Sequence, residues 1–225
     1  MPFQMAMAVA HGRMELNEAL ERMSRNDRID KLMRKHNLSR ALATQIAMGQ
    51  ADLERVLYRR RMEEHRLANR QRSILEGSMK ERLLLVLGLH GQEEVTGEVE
   101  AIDTYTIEFL PRDEEEPRSI HKLQVKYAYR PSQEKHAHGM RSVDDKLAAK
   151  SMSPLERPQD RYPCSDKRLF RYVDRRITVD ATLLEGERFT GEIGWFSRYE
   201  FQMTQEGDPV VTIFRHALHD LSEAR

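Results

Sequence analysis

The chain carries one cysteine, Cys164, in 225 residues, so no disulfide can form within it. That usage suits a reducing compartment, and a cytoplasmic location is expected. No apolar run approaches the roughly 18 residues that would cross a membrane as a helix. The opening MPFQMAMAVAHG has a short apolar stretch and an AVA that resembles a cleavage site, but no basic leading region. It reads as a loose tail and not as a signal peptide. Net charge is absent too: 37 basic and 37 acidic residues cancel, so overall charge points to no partner. There is no glycine-rich phosphate loop and no cysteine-nucleophile motif. His136 and His138 lie in a segment read as a linker, and His216 and His219 sit three apart on expected strands. Neither pair has the arrangement of a metal site. No enzymatic activity, metal or cofactor is expected.

What the chain does have is an internal repeat. Residues 95–110 read VTGEVEAIDTYTIEFL and residues 189–204 read FTGEIGWFSRYEFQMT. At an offset of 94, Gly97 falls on Gly191, Val99 on Ile193, Ile102 on Phe196 and Tyr105 on Tyr199. Carried on without a gap, the offset puts Ile120 on Phe214, and upstream Leu83, Leu85 and Leu87 on Ile177, Val179 and Ala181. A repeat of one supersecondary unit means two copies of one fold. Expected strands in the first copy are 82–89, 95–102, 105–110 and two short ones within 118–129, with a hairpin at Gly91–Glu94. In the second they are 176–184, 187–196, 199–205, 209–215 and 217–222, behind a short helix from Asp166 to Asp174.

Charge is unevenly spread. Residues 1–80 hold 16 basic against 10 acidic side chains, and residues 81–130 hold 6 against 11. Helical spacing of apolar residues covers 14–48, with Ser39 or Asn37 as a cap near Arg40 and Gly49 as a stop. A long helix is expected from Asp52 to about Glu76. Arg55, Arg59, Arg66 and Arg70 fall in one stripe at 100° per residue, as guanidinium groups along a phosphate backbone would. The bland alternative is a solvated face with partners such as Glu63 and Glu64. Residues 131–163 hold four prolines, many charges and few apolar groups, and read as a partly mobile linker. The expected organisation is a basic helical segment at 1–71, repeat one at 72–130, the linker, and repeat two at 164–225. The expected class is α+β, mostly β, with each repeat a helix plus a five-stranded bent antiparallel sheet.

DKRLFRYVDRR, LEGERFTGEIGWFSRY and FRHALHDLSEAR in residues 165–225 resemble Hfq, the bacterial Sm-like RNA chaperone. Phe214, Arg215, His216, Ala217 and Leu218 fill its pattern of bulky residue, base, histidine, alanine and aliphatic. Residues 72–129 resemble a more divergent Sm unit. The resemblance implies a tandem Sm-like protein that binds single-stranded uridine-rich RNA. It implies three chains in a pseudo-hexameric ring. It places base stacking on Tyr199, pore contacts on Phe214, Arg215 and His216, an acidic position at Asp166, and rim contacts at Arg175 and Arg176. Tyr105, His121 and Lys122 hold the matching places in repeat one. Stacking on an aromatic face contributes about 1–3 kcal/mol per base. The family's adenine-binding tyrosine is replaced by Thr182 and Gly88, so that mode is not expected. Two other readings stand beside RNA binding. One is a protein-interaction scaffold on the same fold. The other is a DNA-binding regulator working through the N-terminal helices.

Overall fold

In the computed structural model, which describes residues 1–91 and 93–224, the chain is α+β and mostly β. The expected hairpin at Gly91–Glu94 includes Gln92, and the last strand's quoted segment includes Arg225; both residues lie outside those described. The chain divides into two units, residues 1–61 and 62–225.

The first unit is helical: α1 (Phe3–Ala10), α2 (Leu16–His36), α3 (Arg40–Ala47) and the start of α4 (Leu53–Ala68). The opening segment, expected as a loose tail, is therefore α1. Ile29, Leu38, Ala43 and Ile46 form a small core, with Leu32, Met33 and Val56 packed against it. Asn37 ends α2 in the left-handed region, and the Ser39 hydroxyl caps α3 by accepting from the Leu42 N–H at 3.4 Å.

The expected helix from Asp52 to Glu76 is broken. α4 ends at Ala68, and the His65 carbonyl there accepts both from the Asn69 N–H at 3.1 Å and from the Asn69 side-chain amide at 2.9 Å. Ser73 then precedes a separate helix, α5 (Ile74–Glu81). α5 belongs to the first repeat, as the second repeat's helix belongs to its own.

Repeat one continues with β1 (Leu85–Leu89), β2 (Glu94–Ile102), β3 (Thr106–Pro111), β4 (Arg118–His121) and β5 (Val125–Tyr129). Residues 131–163, expected as a linker, are folded in their first half: α6 (Glu134–Met140), β6 (Arg141–Val143) and α7 (Asp145–Ala148). Ala137, Met140 and Leu147 are buried, and β6 pairs with β8. Three apolar side chains were enough because the segment lies on a neighbouring strand and needs no core of its own. Repeat two is α8 (Asp166–Arg175), β7 (Thr178–Leu183), β8 (Glu187–Phe196), β9 (Glu200–Gln205), β10 (Asp208–Phe214) and β11 (Leu218–Glu223).

The eleven strands form one antiparallel sheet in the order β11-β7-β8-β9-β10-β5-β1-β2-β3-β4, with β6 beside β8. Five strands of each repeat follow the same internal order, and β10 of repeat two pairs with β5 of repeat one through Thr212↔Ala128 and Ile213↔Tyr127. The likeness reaches fine detail. α5 and α8 end on Arg82 and Arg176, both left-handed at φ 49° and 48°. β2 and β8 are bulged at Val99/Ala101 and Ile193/Trp195, 94 residues apart. Gly97 and Gly191 are equivalent, and a Cβ at either would lie 2.1 Å or 2.8 Å from a carbonyl oxygen of the next strand. A bend this tight admits only glycine.

The offset does not hold at 94 throughout. Ile107 pairs with Ile120, and its equivalent Phe201 pairs with Ile213. Beyond β3 the offset is therefore 93, because the acidic loop PRDEEEPR carries one extra residue. Ile120 corresponds to Ile213, not Phe214.

Candidate nucleic-acid interface

Tyr105 and Tyr199 occupy equivalent tight turns, after β2 and after β8. The turn carbonyls accept from equivalent N–H groups, Lys122 N→Tyr105 O and Arg215 N→Tyr199 O, each at 2.8 Å. The two rings are 69% and 66% exposed, while most other tyrosines of the fold are buried or half-buried. Each has a neighbour suited to a stacked base. His121 lies parallel to Tyr105, with centroids 6.4 Å apart and 6° between planes. The Arg198 guanidinium sits 5.3 Å from the centre of the Tyr199 ring.

The residues expected beside them are engaged within the fold. Arg215 donates to Asp166 Oδ1 and to the Ser197 carbonyl, each at 2.9 Å, and also to the Cys164 carbonyl. It ties the start of α8 to the β8–β9 turn. Asp166 is the first residue of α8 and not its cap. The cap is Ser165, whose hydroxyl accepts from the Arg168 N–H at 3.3 Å. Phe214 is 5% exposed and packs in the core of repeat one with Leu87, Ile107 and Val125. His216 Nε2 lies 2.9 Å from the Val125 carbonyl across the junction. A carbonyl only accepts, so Nε2 carries the proton. Burial pushes its pKa down to about 4.

Lys122 donates to the Asp103 and Thr104 carbonyls of its own turn. With the offset at 93, Lys122 matches Arg215 and His121 matches Phe214. The place of His216 is taken by Leu123. Arg175 and Arg176 are exposed at the end of α8. In the stripe, Arg55 and Arg59 are exposed in the first unit, and Arg66 and Arg70 in the second. Arg66 pairs with Glu63 at 2.9 Å, and Arg70 lies past the helix end. At Gly88 the Tyr127 ring from β5 fills the space a side chain would need, 2.1 Å from a Cβ. The Tyr127 hydroxyl donates to Glu94 at 2.8 Å.

Sequence reading missed the polar centre of the junction. Lys126 is fully buried and its ammonium donates to both Glu185 in the β7–β8 turn and Glu187 at the start of β8. Burial raises the Glu185 pKa, but the ammonium and the Gly91 N–H outweigh it and leave the carboxyl below its usual range. His90 stands 3.9 Å from Glu185, and burial lowers its pKa. Trp195 was missed as well. It lies under the Arg72 guanidinium at 4.4 Å, in a cleft of about 320 Å³ between the repeats. Glu200 is buried and accepts from the Ile74 N–H at 3.0 Å, and burial pushes its pKa up to about 8. A lone lysine in a strand pattern and a lone tryptophan give no signal until the partner strand is known.

Among the described residues no helix is long and apolar enough to cross a membrane, and no cluster of three or more metal-ligating side chains occurs. No protein-family model matches the chain, and no curated protein matches its sequence.

Proposed function

We infer that the chain is a tandem Sm-like RNA-binding protein that holds single-stranded, uridine-rich RNA by stacking bases on Tyr105 and Tyr199. The observation that carries this reading is the pair of exposed tyrosines at equivalent turns, each beside an imidazole or a guanidinium. An exposed aromatic beside a hydrogen-bonding imidazole or guanidinium stacks a base and meets its edge, its 2′-OH or its phosphate; His121 keeps Nε2 for this, since its Nδ1 accepts from the Leu123 N–H at 3.1 Å. Because Arg215 and His216 are committed to the fold, their role is to set the turn and the junction. RNA contact falls to the tyrosines, His121 and Arg198.

Association of copies belongs to the same reading. The ladder alternates, so a hydrogen bond at one pair fixes the direction of every other. Ala224 N donates to Thr178 O, which turns the main-chain groups of Leu221 outward from β7. Lys122 N donates to Tyr105 O, which turns those of Ser119 outward from β3. Ser119 and Leu221 are the equivalents of Thr212 and Ala128, the residues that pair at the internal junction. Repeating that junction between chains places Ser119 opposite Leu221. Head-to-tail contacts make a ring when the rotation from chain to chain closes, and in the proposed ring three chains supply six repeats.

The test is binding of a labelled short oligouridylate to the full chain. Tyr105→Ala and Tyr199→Ala should each weaken it by about 1–3 kcal/mol. Wild-type affinity in the double variant overturns stacking on these turns. A second reading is favoured by the engagement of Arg215 and His216: a protein-interaction scaffold on the same fold. It predicts no binding by the wild type either, even at low salt.

A further inference from the structure

We propose that Arg168 and Tyr162 form a cap over the outer edge of β11, and that a second copy of this chain pairs with that edge only when the cap is displaced. The inference rests on the edge-to-edge association inferred above and adds what controls it.

The outward carbonyl of Leu221 is the group that β4 of another copy would bond. It is already occupied. The Tyr162 hydroxyl donates to it at 3.2 Å, and the Arg168 guanidinium donates to it as well. A carbonyl oxygen has two lone pairs, and both are taken. The incoming Ser119 N–H therefore has to displace at least one donor.

The cap is held from behind. Arg168 Nε donates to the Tyr172 hydroxyl at 3.0 Å, its guanidinium also donates to the Tyr162 hydroxyl, and Tyr172 is buried. The guanidinium is thus fixed by two phenols and aimed at one main-chain oxygen. Native sheets protect free edges with inward-turned charges of this kind.

Repeat one supplies the control. At the helix offset of 94, Arg168 corresponds to Ile74, whose side chain has no donor to give. The strand beside Ile74, β5, is the one that is paired, through Ala128 with Thr212. Of these two equivalent edges, the uncapped one at β5 is closed by a strand and the capped one at β11 is left open. Tyr162 lies in the segment before α8, so that segment and the helix act together on the edge.

The experiment is sedimentation equilibrium of the full chain across concentration, for wild type, Arg168→Met, Tyr162→Phe, and each with Ser119→Pro. Proline at Ser119 removes the outward N–H and costs β4 no internal bond. Arg168→Met should tighten association about tenfold and Tyr162→Phe about threefold, as loss of a charged and a neutral donor would. Ser119→Pro should return every variant to single chains. If Arg168→Met and Tyr162→Phe associate no more tightly than wild type while Ser119→Pro still abolishes association, the cap is refuted and the edge pairing stands. If association survives Ser119→Pro, the edge pairing itself is refuted. Tyr162→Phe keeps the test alive should Arg168→Met lower the melting temperature.

Discussion

The sheet contains the same junction in two conditions, closed at β10–β5 and open at β4 and β11. At the closed one, the bulged residue of β5 is Lys126, buried against Glu185 and Glu187. At the open edge, the bulged residue of β11 is His219, which is exposed, and Gly91 and Glu93 stand where the two glutamates would be. Phe214 from repeat two seals the core of repeat one, and its equivalent on β4 is the exposed His121. One ladder geometry thus carries two chemistries. The inner copy has the buried ion pairs and apolar seal of a permanent contact. The outer edges carry exposed polar groups, His219 and His121, in the same places.

The largest effect should come from breaking the inner junction. Lys126→Met leaves Glu185 and Glu187 buried without their cation, and removing one partner of a buried ion cluster costs about 3–5 kcal/mol. Chemical denaturation should report a loss of that order. An unchanged midpoint would mean that the glutamates reach water and the centre is not dry.

A smaller effect of known sign should follow from pH. The folded pKa of His216 lies near 4, below its unfolded value of 6.5. Its contribution is complete above pH 6.5 and is lost as pH falls toward 4. That amounts to on the order of 3 kcal/mol over the window. His216→Leu, which copies Leu123 of repeat one, should flatten the fall in melting temperature between pH 6.5 and 4. A slope equal to wild type would remove His216 from the junction. Glu200 acts in the other direction. Its raised pKa, about 8, makes its contribution complete below its unfolded value of 4.5 and lost as pH rises toward 8.

The smallest effect should be in the arginine stripe. Arg55→Ala with Arg59→Ala should reduce the salt slope of RNA affinity by up to about two units if both touch phosphate. An unchanged slope makes the stripe a solvated face.

Much of this was legible in sequence. Alternating apolar residues such as Val99, Ile107 and Phe109 fixed strands to within a few residues. The glycines at 97 and 191 announced the bent strand because no other residue fits there. The break at Asn69 was not legible, since the apolar helical pattern runs on through Ile74 and Leu75, which belong to α5. Nor was the fold of residues 134–148, whose few apolar groups are buried by β8 and not by each other. The single-residue slip after β3 hid which residues match. It is an insertion in a solvent loop, where no periodicity records it. The engagement of His216 and Arg215 was beyond reach for another reason: apart from Asp166, their partners are the main-chain carbonyls of Val125, Ser197 and Cys164, which any residue offers.

The most direct measurement is site-resolved amide exchange at Thr212 and Ser119 as protein concentration rises. The two are equivalent, one at the closed junction and one at the open edge. Thr212 should be protected at every concentration, and Ser119 should exchange freely in single chains and become protected as copies associate. Association with Ser119 still unprotected would contradict the edge pairing.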